Sequence, residues 1–445
     1  MDHIQLSGWI RSSSYDCKIV IFSLLALTCI LYLVVMYRFV LLALLLLMAC
    51  KPADLLTTHP FPSPVDTEDR PVVLQEEHSV DFGHVRFDNA FEGARMNGVE
   101  QRVDGSYLIS ILPENEPINS SPHYAFRITS PKADTLHIDI DTGTHKHRYW
   151  PKVQRGEAPF IKLDTLLSDT TKAGHILTLV LPISQGTTIV AAQELRTTSH
   201  NLQWMQALQS AHPFISSGVI GQSKLGRDIH HMELGEGARS DKPAILIFSR
   251  THPPEVPGYL AMQAFVEELL RDSPLSRHFR NKYRILAYPL INPDGVDLGH
   301  WRHNAGGIDL NRDWSHFRQE ETHAVATHVL KEVRSHDNKV VLGIDFHSTQ
   351  EDVIYTHTAN RISSIHPFKD LWIQALDDDL GVLGPNEEAY DLSSPMTKGW
   401  FFLEFGAEAL IYEVGDASDR EFLKYKAEVA AREMMKLLAL YNPEH

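Results

Sequence analysis

Residues 199–445 alternate short apolar runs with longer amphipathic segments, and this pattern constrains the fold more than any other feature. Four runs have the length of buried strands, at 243–249, 284–290, 340–346 and 409–413. Four amphipathic segments have the length of helices, at 258–272, 316–335, 368–380 and 419–440. The alternation predicts an α/β domain with helices on both faces of a mixed, mainly parallel sheet. Functional side chains of such sheets gather beyond the carboxyl ends of the strands.

Residues 81–198 follow a different pattern, in which apolar and polar residues alternate over short stretches. The clearest examples are 124–128 and 136–140, with 177–181 as a further strand candidate. Alternation with a period of two is typical of half-buried strands. We therefore predict a small all-β sandwich at 81–198, followed by the α/β domain at 199–445.

The N-terminal 50 residues are predicted to be a signal or membrane-anchor region. Apolar runs at 19–36 and 39–49 precede Cys50, and only Arg38 is charged between them. The second run resembles a bacterial lipoprotein signal that ends at Cys50, and Met36 is then a candidate start. The alternative is a plain membrane anchor, since the first run reaches the length of a membrane helix. Both predict a body tethered to the bacterial cell envelope and facing the periplasm, through a linker at 51–80.

Bulk composition excludes several classes of function. The net charge of −16 argues against nucleic acid as a partner. All three cysteines, Cys17, Cys29 and Cys50, lie in the N-terminal region. The folded body therefore has no cysteine for a disulfide, a metal site or a nucleophile.

His252-Pro-Pro-Glu255 is a candidate pair of metal ligands. It follows the apolar run 243–249, and its two prolines forbid a regular helix between the imidazole and the carboxylate. The pair is therefore expected on a fixed loop at a strand end, where it could hold a zinc ion with an open coordination position.

Further segments follow this pair and give it weight. They are Asn292-Pro-Asp-Gly-Val296, Trp301-Arg-His-Asn304, Gly307-Ile-Asp-Leu-Asn-Arg-Asp-Trp314, Asp345-Phe-His-Ser348 and Ile411-Tyr-Glu-Val-Gly-Asp416. In this order the set resembles the zinc carboxypeptidase family of α/β metallopeptidases, and its spacing is similar to that of the cytosolic carboxypeptidase branch. That branch also carries a β-sandwich before its catalytic domain.

The resemblance implies a role for each matching residue. His252, Glu255 and His347 correspond to the ligands of one zinc ion, Zn2+, which leave a fourth position for water. Glu413 corresponds to the general base, which takes a proton from that water. Arg302 corresponds to the residue that stabilises the oxyanion of the tetrahedral intermediate.

The resemblance also implies how a substrate is held. Asn311 and Arg312 correspond to the pair that binds the terminal carboxylate, because a guanidinium can grip a carboxylate with two hydrogen bonds. Asp309 matches a carboxylate that orients a zinc-binding histidine. Lys398 falls where the branch has a basic residue at the floor of the pocket, and a cation there favours Asp or Glu. Tyr390 is a candidate for the mobile tyrosine of the digestive carboxypeptidases.

The predicted function is a membrane-tethered zinc metallocarboxypeptidase that hydrolyses the C-terminal residue of peptides, with a preference for acidic residues. Two alternatives stay open. One is an amidohydrolase of cell-wall stem peptides (muropeptides) on the same fold. The other is a non-catalytic peptide-binding protein that kept the fold.

Overall fold

The computed structural model describes residues 32–33, 35–38, 55–163, 168–170 and 174–441. Residues 32–33 and 35–38 are helical. The rest of the predicted signal, including Cys50, lies outside the described residues, so the lipoprotein and anchor alternatives stay predictions. None of the helices in the described residues combines the length and the apolar character that crossing a membrane requires.

The first part of the body is all-β. Its described residues form eleven strands: β1 Ser79–Asp81, β2 Arg86–Asp88, β3 Gly98–Gln101, β4 Tyr107–Ser110, β5 Ala125–Ser130, β6 Asp134–Asp141, β7 Lys152–Arg155, β8 Ile161–Lys162, β9 Ser168–Thr170, β10 Ile176–Ile183 and β11 Gly186–Ala191. They form a six-stranded sheet, β1-β2-β5-β11-β7-β8, and a five-stranded sheet, β3-β4-β6-β10-β9. All the strand pairs are antiparallel except β4 with β6.

The two sheets enclose one apolar core, which explains the alternation in the sequence. Leu179 of β10 lies opposite Ile138 of β6, and both side chains are fully buried. Phe126 and Val190 of the other sheet belong to the same buried cluster. Successive side chains of a strand point to opposite faces, so every second residue reaches this core. The predicted β-sandwich is confirmed.

The second part is built on an eight-stranded mixed sheet in the order β12-β13-β15-β14-β16-β19-β17-β18. Its strands are β12 Ser216–Gln222, β13 Asp228–Leu234, β14 Ala244–Ser249, β15 Arg284–Tyr288, β16 Val340–Thr349, β17 Val353–Thr356, β18 Asn386–Ala389 and β19 Glu408–Gly415. The four strands predicted from the sequence are β14, β15, β16 and β19. They form the continuous parallel centre of this sheet.

Helices cover both faces of the sheet, as the sequence predicts. They are α1 Thr198–Ala211, α2 Val256–Leu270, α3 Pro274–Lys282, α4 Pro293–Asp297, α5 Glu320–Ser335, α6 Phe368–Leu380, α7 Thr397–Phe405 and α8 Arg420–Leu440. Strand β14 shows the two faces clearly. Ile245 and Ile247 join a core with α2, α3, α6 and α8. Leu246 and Phe248 join a second core with α5 and α7. The predicted fold class is confirmed.

The segment at 56–78 has the irregular backbone expected of a linker, yet it lies along the α/β part. Phe61 is buried at the first turn of α7, where a Cβ atom on Gly399 would come within 2.6 Å of its ring. The amide of Arg70 donates to the carbonyl of Gly306 at 2.8 Å. Thr67 donates from its hydroxyl to the carboxylate of Asp313. These contacts make residues 61–70 part of the folded body.

Candidate metal centre and active site

His252 and Glu255 lie where the chain passes from β14 into α2. Pro253 and Pro254 keep this passage out of helical geometry, and Glu255 is the residue immediately before the helix. The side chains of His252 and Glu255 are buried, with 4% and 6% exposed. A short, rigid and buried loop therefore carries two of the predicted ligands, as the sequence suggested.

His347 completes a three-residue cluster from the far end of β16. Nδ1 of His347 lies 2.7 Å from Oε2 of Glu255, and Nδ1 of His252 lies 2.9 Å from Oε1. One potential ligand atom from each residue falls within 4.8 Å of the others. Two imidazoles and a carboxylate converging in this way are the donor set that a zinc ion with an open position uses. The residues present fit the metal that the resemblance implies.

Two further carboxylates hold the outer nitrogens of the histidines. Oδ1 of Asp309 lies 2.9 Å from Nε2 of His252, and Oδ2 of Asp345 lies 2.8 Å from Nε2 of His347. Each ring is thereby turned so that Nδ1 faces the centre of the cluster. Partners of this kind orient metal-binding histidines and raise their basicity. Asp309 was predicted for this contact, whereas the role of Asp345 was missed.

Opposite charges dominate the cluster. Burial lowers the pKa of His347, but the charges of Asp345 and Glu255 outweigh it and hold that pKa well above its usual value. Burial likewise raises the pKa of Glu255, yet the two histidines hold it well below its usual range. In the absence of a metal, the cluster therefore keeps its carboxylate ionised and a proton on His347.

Glu413 lies beside the cluster on β19. It occupies the register position opposite His347 on the neighbouring parallel strand. Its Oε2 atom is buried and has no hydrogen-bond partner among the described residues. Burial raises the pKa of this carboxyl to about 8, and the charge of Glu255 adds to the shift. A carboxyl with one buried, unpartnered oxygen and a raised pKa, next to a candidate metal cluster, is suited to proton transfer.

Arg302 contacts Asp309, the carboxylate that also holds His252. Its Nε donates to Oδ2 of Asp309 at 2.8 Å, so Asp309 contacts both Arg302 and His252. The Arg302 side chain is 11% exposed. Burial lowers its pKa, but Asp309 and Glu255 outweigh this effect and the net shift is upward. A permanent cation is thereby fixed at the edge of the cluster.

Asn311 and Arg312 follow directly in a short 3-10 helix, Leu310–Arg312. The amide oxygen of Asn311 accepts from the backbone N–H of Thr397 at 3.0 Å, and its amide nitrogen lies 3.5 Å from Nε2 of His347. The guanidinium of Arg312 donates to the Asn311 carbonyl at 2.7 Å, and its side chain is 31% exposed. Asn311 is therefore fixed close to the cluster. Arg312 keeps a partly exposed cation beside it, with Nη1 3.9 Å from Oδ2 of Asp309.

Lys398 is buried at the start of α7, next to Thr397. Its Nζ donates to the carbonyls of Thr356 at 2.6 Å and Tyr390 at 3.1 Å, and it lies 3.4 Å from the centroid of the Tyr390 ring. Both hydrogen-bond partners in the described part of the chain are neutral oxygens. Burial lowers the pKa of Lys398 to about 7. Tyr390 thus covers a buried, weakly basic amine.

Thr397 and Arg148 are contacts that the sequence did not suggest. Thr397 donates from its hydroxyl to Oδ2 of Asp345 at 2.5 Å, which joins the start of α7 to the metal cluster. Arg148 comes from the β-sandwich and donates to the carbonyl of Ser348 at 2.7 Å and to Asp416 at 2.7 Å. A threonine at a helix start and an arginine far away in sequence carry no local signal. Asp345, the other residue that the sequence analysis missed, did carry a local signal, because it shares a strand face with His347.

Residues 201–377 match the family model described as zinc carboxypeptidase. The chain therefore contains a zinc carboxypeptidase domain. Zinc carboxypeptidases are peptide hydrolases. The matched range contains the His-Glu-His cluster together with Arg302, Asn311 and Arg312. Lys398 and Glu413 lie beyond it.

Similar proteins include members of the predicted branch. The chain is 28% identical over 263 residues to an uncharacterized protein of Zymomonas mobilis, covering 58% of this chain and 64% of that one. It is 25% identical over 292 residues to cytosolic carboxypeptidase 6 of Mus musculus, covering 60% of this chain and 53% of that one. The chain therefore spans less than two thirds of the length of these relatives. The predicted resemblance to cytosolic carboxypeptidases is confirmed.

Solved structures of bacterial metallo-carboxypeptidases share the fold. A metallo-carboxypeptidase from Burkholderia cenocepacia superposes with a TM-score of 0.65 at 16% identity, covering 80% of this chain and 98% of that one. A metallo-carboxypeptidase from Pseudomonas aeruginosa superposes with a TM-score of 0.63, also at 16% identity. At these identities the likeness establishes a common fold.

Proposed function

We propose that the chain is a metallocarboxypeptidase that removes the C-terminal residue of a peptide. One observation carries the proposal. Glu413, whose Oε2 atom is buried without a hydrogen-bond partner among the described residues, lies opposite His347 of the buried His-Glu-His cluster. Burying a carboxyl without a partner is costly, so such a group indicates function rather than stability.

The His-Glu-His cluster is the proposed zinc site. His252, Glu255 and His347 would hold the ion, with Asp309 and Asp345 orienting the two imidazoles. When bound, zinc supplies a Lewis acid next to the scissile amide. The cluster is buried, so the charges around it act in a low dielectric and are strengthened.

Two further side chains then perform the proton and charge chemistry of the proposed reaction. Glu413 takes a proton from the attacking water and delivers it to the leaving amine nitrogen. The raised pKa of Glu413 suits both steps. Its carboxylate is a stronger base than an ordinary glutamate, and its protonated form is readily populated near neutral pH. Arg302 donates to the oxygen that becomes negative as the carbonyl carbon turns tetrahedral. Asp309 holds the Arg302 side chain ready for that task.

Arg312 and Asn311 provide the proposed exopeptidase register. The guanidinium of Arg312 is partly exposed, and the ion pair that its Nη1 makes with Asp309 is long, at 3.9 Å, so its remaining donors can pair with the terminal carboxylate of a peptide. The amide nitrogen of Asn311 adds a second donor, since Thr397 fixes its oxygen and so sets its orientation. A substrate held in this way presents its last peptide bond to Glu413. A peptide with an amidated C-terminus loses this contact.

Lys398 supports a preference for acidic C-terminal residues. Its amine is buried without a carboxylate as hydrogen-bond partner among the described residues, and the Tyr390 ring lies over it. An Asp or Glu side chain that displaced this ring would satisfy the cation with an opposite charge. A hydrophobic C-terminal residue would gain no such pairing.

Glu413→Gln tests the proposal directly. The zinc-loaded wild type should release the C-terminal residue from peptides with a free carboxylate and spare the amidated forms. Glu413→Gln should lower kcat by roughly 10²–10⁴-fold, the range for loss of a general base. Glu408→Gln is a matched control, because Glu408 is a buried glutamate at the other end of β19.

The same assay separates the alternatives. Cleavage of muropeptides in preference to Glu-ended peptides would support a stem-peptide amidohydrolase. Peptide binding without turnover by the zinc-loaded wild type would support the non-catalytic alternative. Equal turnover by wild type and Glu413→Gln would contradict the proposed role of Glu413.

A further inference from the structure

Glu114 of the β-sandwich part contacts the loop that carries Arg302. Its carboxylate accepts hydrogen bonds from three consecutive backbone amides: Trp301 at 2.8 Å, Arg302 at 2.9 Å and His303 at 2.6 Å. Glu114 is fully buried and lies almost 190 residues earlier in the chain. No motif of the α/β part contains it, and the function described above does not use it.

The Glu114 carboxylate is held in its charged form. Burial raises its pKa, but the charges of His300 and Arg95 and the hydrogen bonds from the loop outweigh burial, and the net shift is downward. Hydrogen bonds to an ionised acceptor are about twice as strong as neutral ones. The loop is thus fixed by a buried anion with three aligned donors. A neutral amide at this position could not accept all three bonds equally.

The β-sandwich also holds the loop through side chains. Trp301 is fully buried and belongs to the apolar core of the sandwich. Asn115, next to Glu114, lies 2.6 Å from Nδ1 of His303 through its amide oxygen and donates to the carbonyl of Gly307 at 3.0 Å. The residues before and after Arg302 are therefore inserted into the β part, while the Arg302 side chain points back to Asp309.

We propose that Glu114 is a positioning residue for Arg302 in peptide hydrolysis, an inference that rests on the proposed function. Glu114 fixes the backbone of Arg302, and Asp309 fixes its side chain. These two constraints place the guanidinium where negative charge develops on the scissile carbonyl oxygen. The β-sandwich then contributes to stabilising the transition state, through a residue that lies outside the α/β part. A group that stabilises only the transition state affects kcat rather than substrate binding.

A double-mutant cycle tests this role. Glu114→Gln should lower kcat roughly tenfold, while KM changes less than about twofold. The expected loss in kcat is smaller than the roughly 10²–10³-fold loss from removing an oxyanion donor outright, because Arg302 is still present. In an Arg302→Ala background the same substitution should have no further effect on kcat. Glu114→Asp, which keeps the charge, should restore part of the lost rate. A phosphonate peptide that mimics the tetrahedral intermediate should bind roughly tenfold less tightly to Glu114→Gln, with product affinity unchanged.

Glu194→Gln is the matched control. Glu194 is another buried carboxylate of the β part, and it pairs with Arg420 of the α/β part. It should lower Tm without lowering kcat. If Glu114→Gln reduces kcat equally in the wild-type and Arg302→Ala backgrounds, or only lowers Tm, the positioning role is wrong. If Glu114→Gln does not fold, the same cycle is measured with Glu114→Asp in the wild-type and Arg302→Ala backgrounds, and the same outcomes apply. An inactive wild type would instead overturn the proposed function.

Discussion

His347 and Glu413 occupy opposite register positions on the parallel strands β16 and β19, at the centre of the sheet. A proposed metal ligand and the proposed base are therefore fixed by backbone hydrogen bonds between strands rather than by a loop. Sites built on strands hold their side chains with less freedom than sites on loops. The same pair also explains why both residues follow apolar runs, since each lies near the carboxyl end of a buried strand.

Asp345→Asn should weaken zinc binding by about 10–100-fold, the usual effect of removing the partner of a metal-binding histidine. The asparagine keeps the shape but loses the charge that holds Nε2 of His347. Zinc affinity measured by competition with a chromophoric chelator checks this. Asp377→Asn, on the surface of α6, should leave the affinity unchanged. Equal affinities for wild type and Asp345→Asn would exclude the orienting role.

Gly258→Ala should damage both stability and the metal centre. A Cβ atom at this position would lie 2.3 Å from the carbonyl oxygen of His347, so α2 and β16 must move apart. Overpacking of this kind costs about 1–3 kcal/mol. Thermal unfolding and zinc titration measure the two effects. Gly98→Ala is a control, because the nearest neighbour of its Cβ would be 3.8 Å away. Unchanged zinc affinity in Gly258→Ala would contradict the prediction.

Acidic preference should disappear as pH rises through about 7. Burial lowers the pKa of Lys398 to about 7, so the amine is charged below that pH and neutral above it. We expect the ratio of kcat/KM for a Glu-ended peptide to that for a Leu-ended peptide to fall over this range, because kcat/KM reports the free enzyme. Lys398→Gln should give a low ratio that does not vary with pH. Lys331→Gln, on the surface of α5, is the control and should behave as the wild type. A ratio that does not vary with pH in the wild type would contradict the proposed role of Lys398 in acidic preference.

Glu321→Gln should stabilise the protein above pH 7. Glu321 is fully buried and accepts from Asn304 at 2.9 Å, and burial raises its pKa to about 7. The folded state therefore binds the proton more tightly than the unfolded chain does. The stability from this group is complete below pH 4.5 and is lost as pH rises through about 7, on the order of 3 kcal/mol. The Tm difference between Glu321→Gln and wild type should grow over this range. A constant difference would count against the shift.

Much of this site could be predicted because its residues lie at the ends of readable strands. His252 and Glu255 follow β14, and His347 and Glu413 lie near the ends of β16 and β19. Asp345 was within reach, since a period of two places it on the His347 face. The positions of these residues relative to strand ends are local properties, and the pattern of apolar residues in the sequence predicts them.

Contacts between distant segments could not be predicted in this way. Glu114 approaches Arg302 across 188 residues, and Arg148 approaches Ser348 across 200. Neither residue differs in its local sequence from an ordinary charged side chain. The packing of Phe61 on the start of α7 is a further case, because the composition of residues 51–80 indicates only irregular backbone. These contacts follow from tertiary packing, which no single-segment pattern encodes.

A digest of a C-terminally randomised peptide library, read by mass spectrometry, tests the central claim most directly. The zinc-loaded wild type should shorten peptides by single residues from a free C-terminus, fastest after Asp or Glu. A chelator should stop the reaction, and added zinc should restore it. Internal cleavage, equal cleavage of amidated peptides, or release that persists with the chelator would contradict a metallocarboxypeptidase built on His252, Glu255, His347 and Glu413.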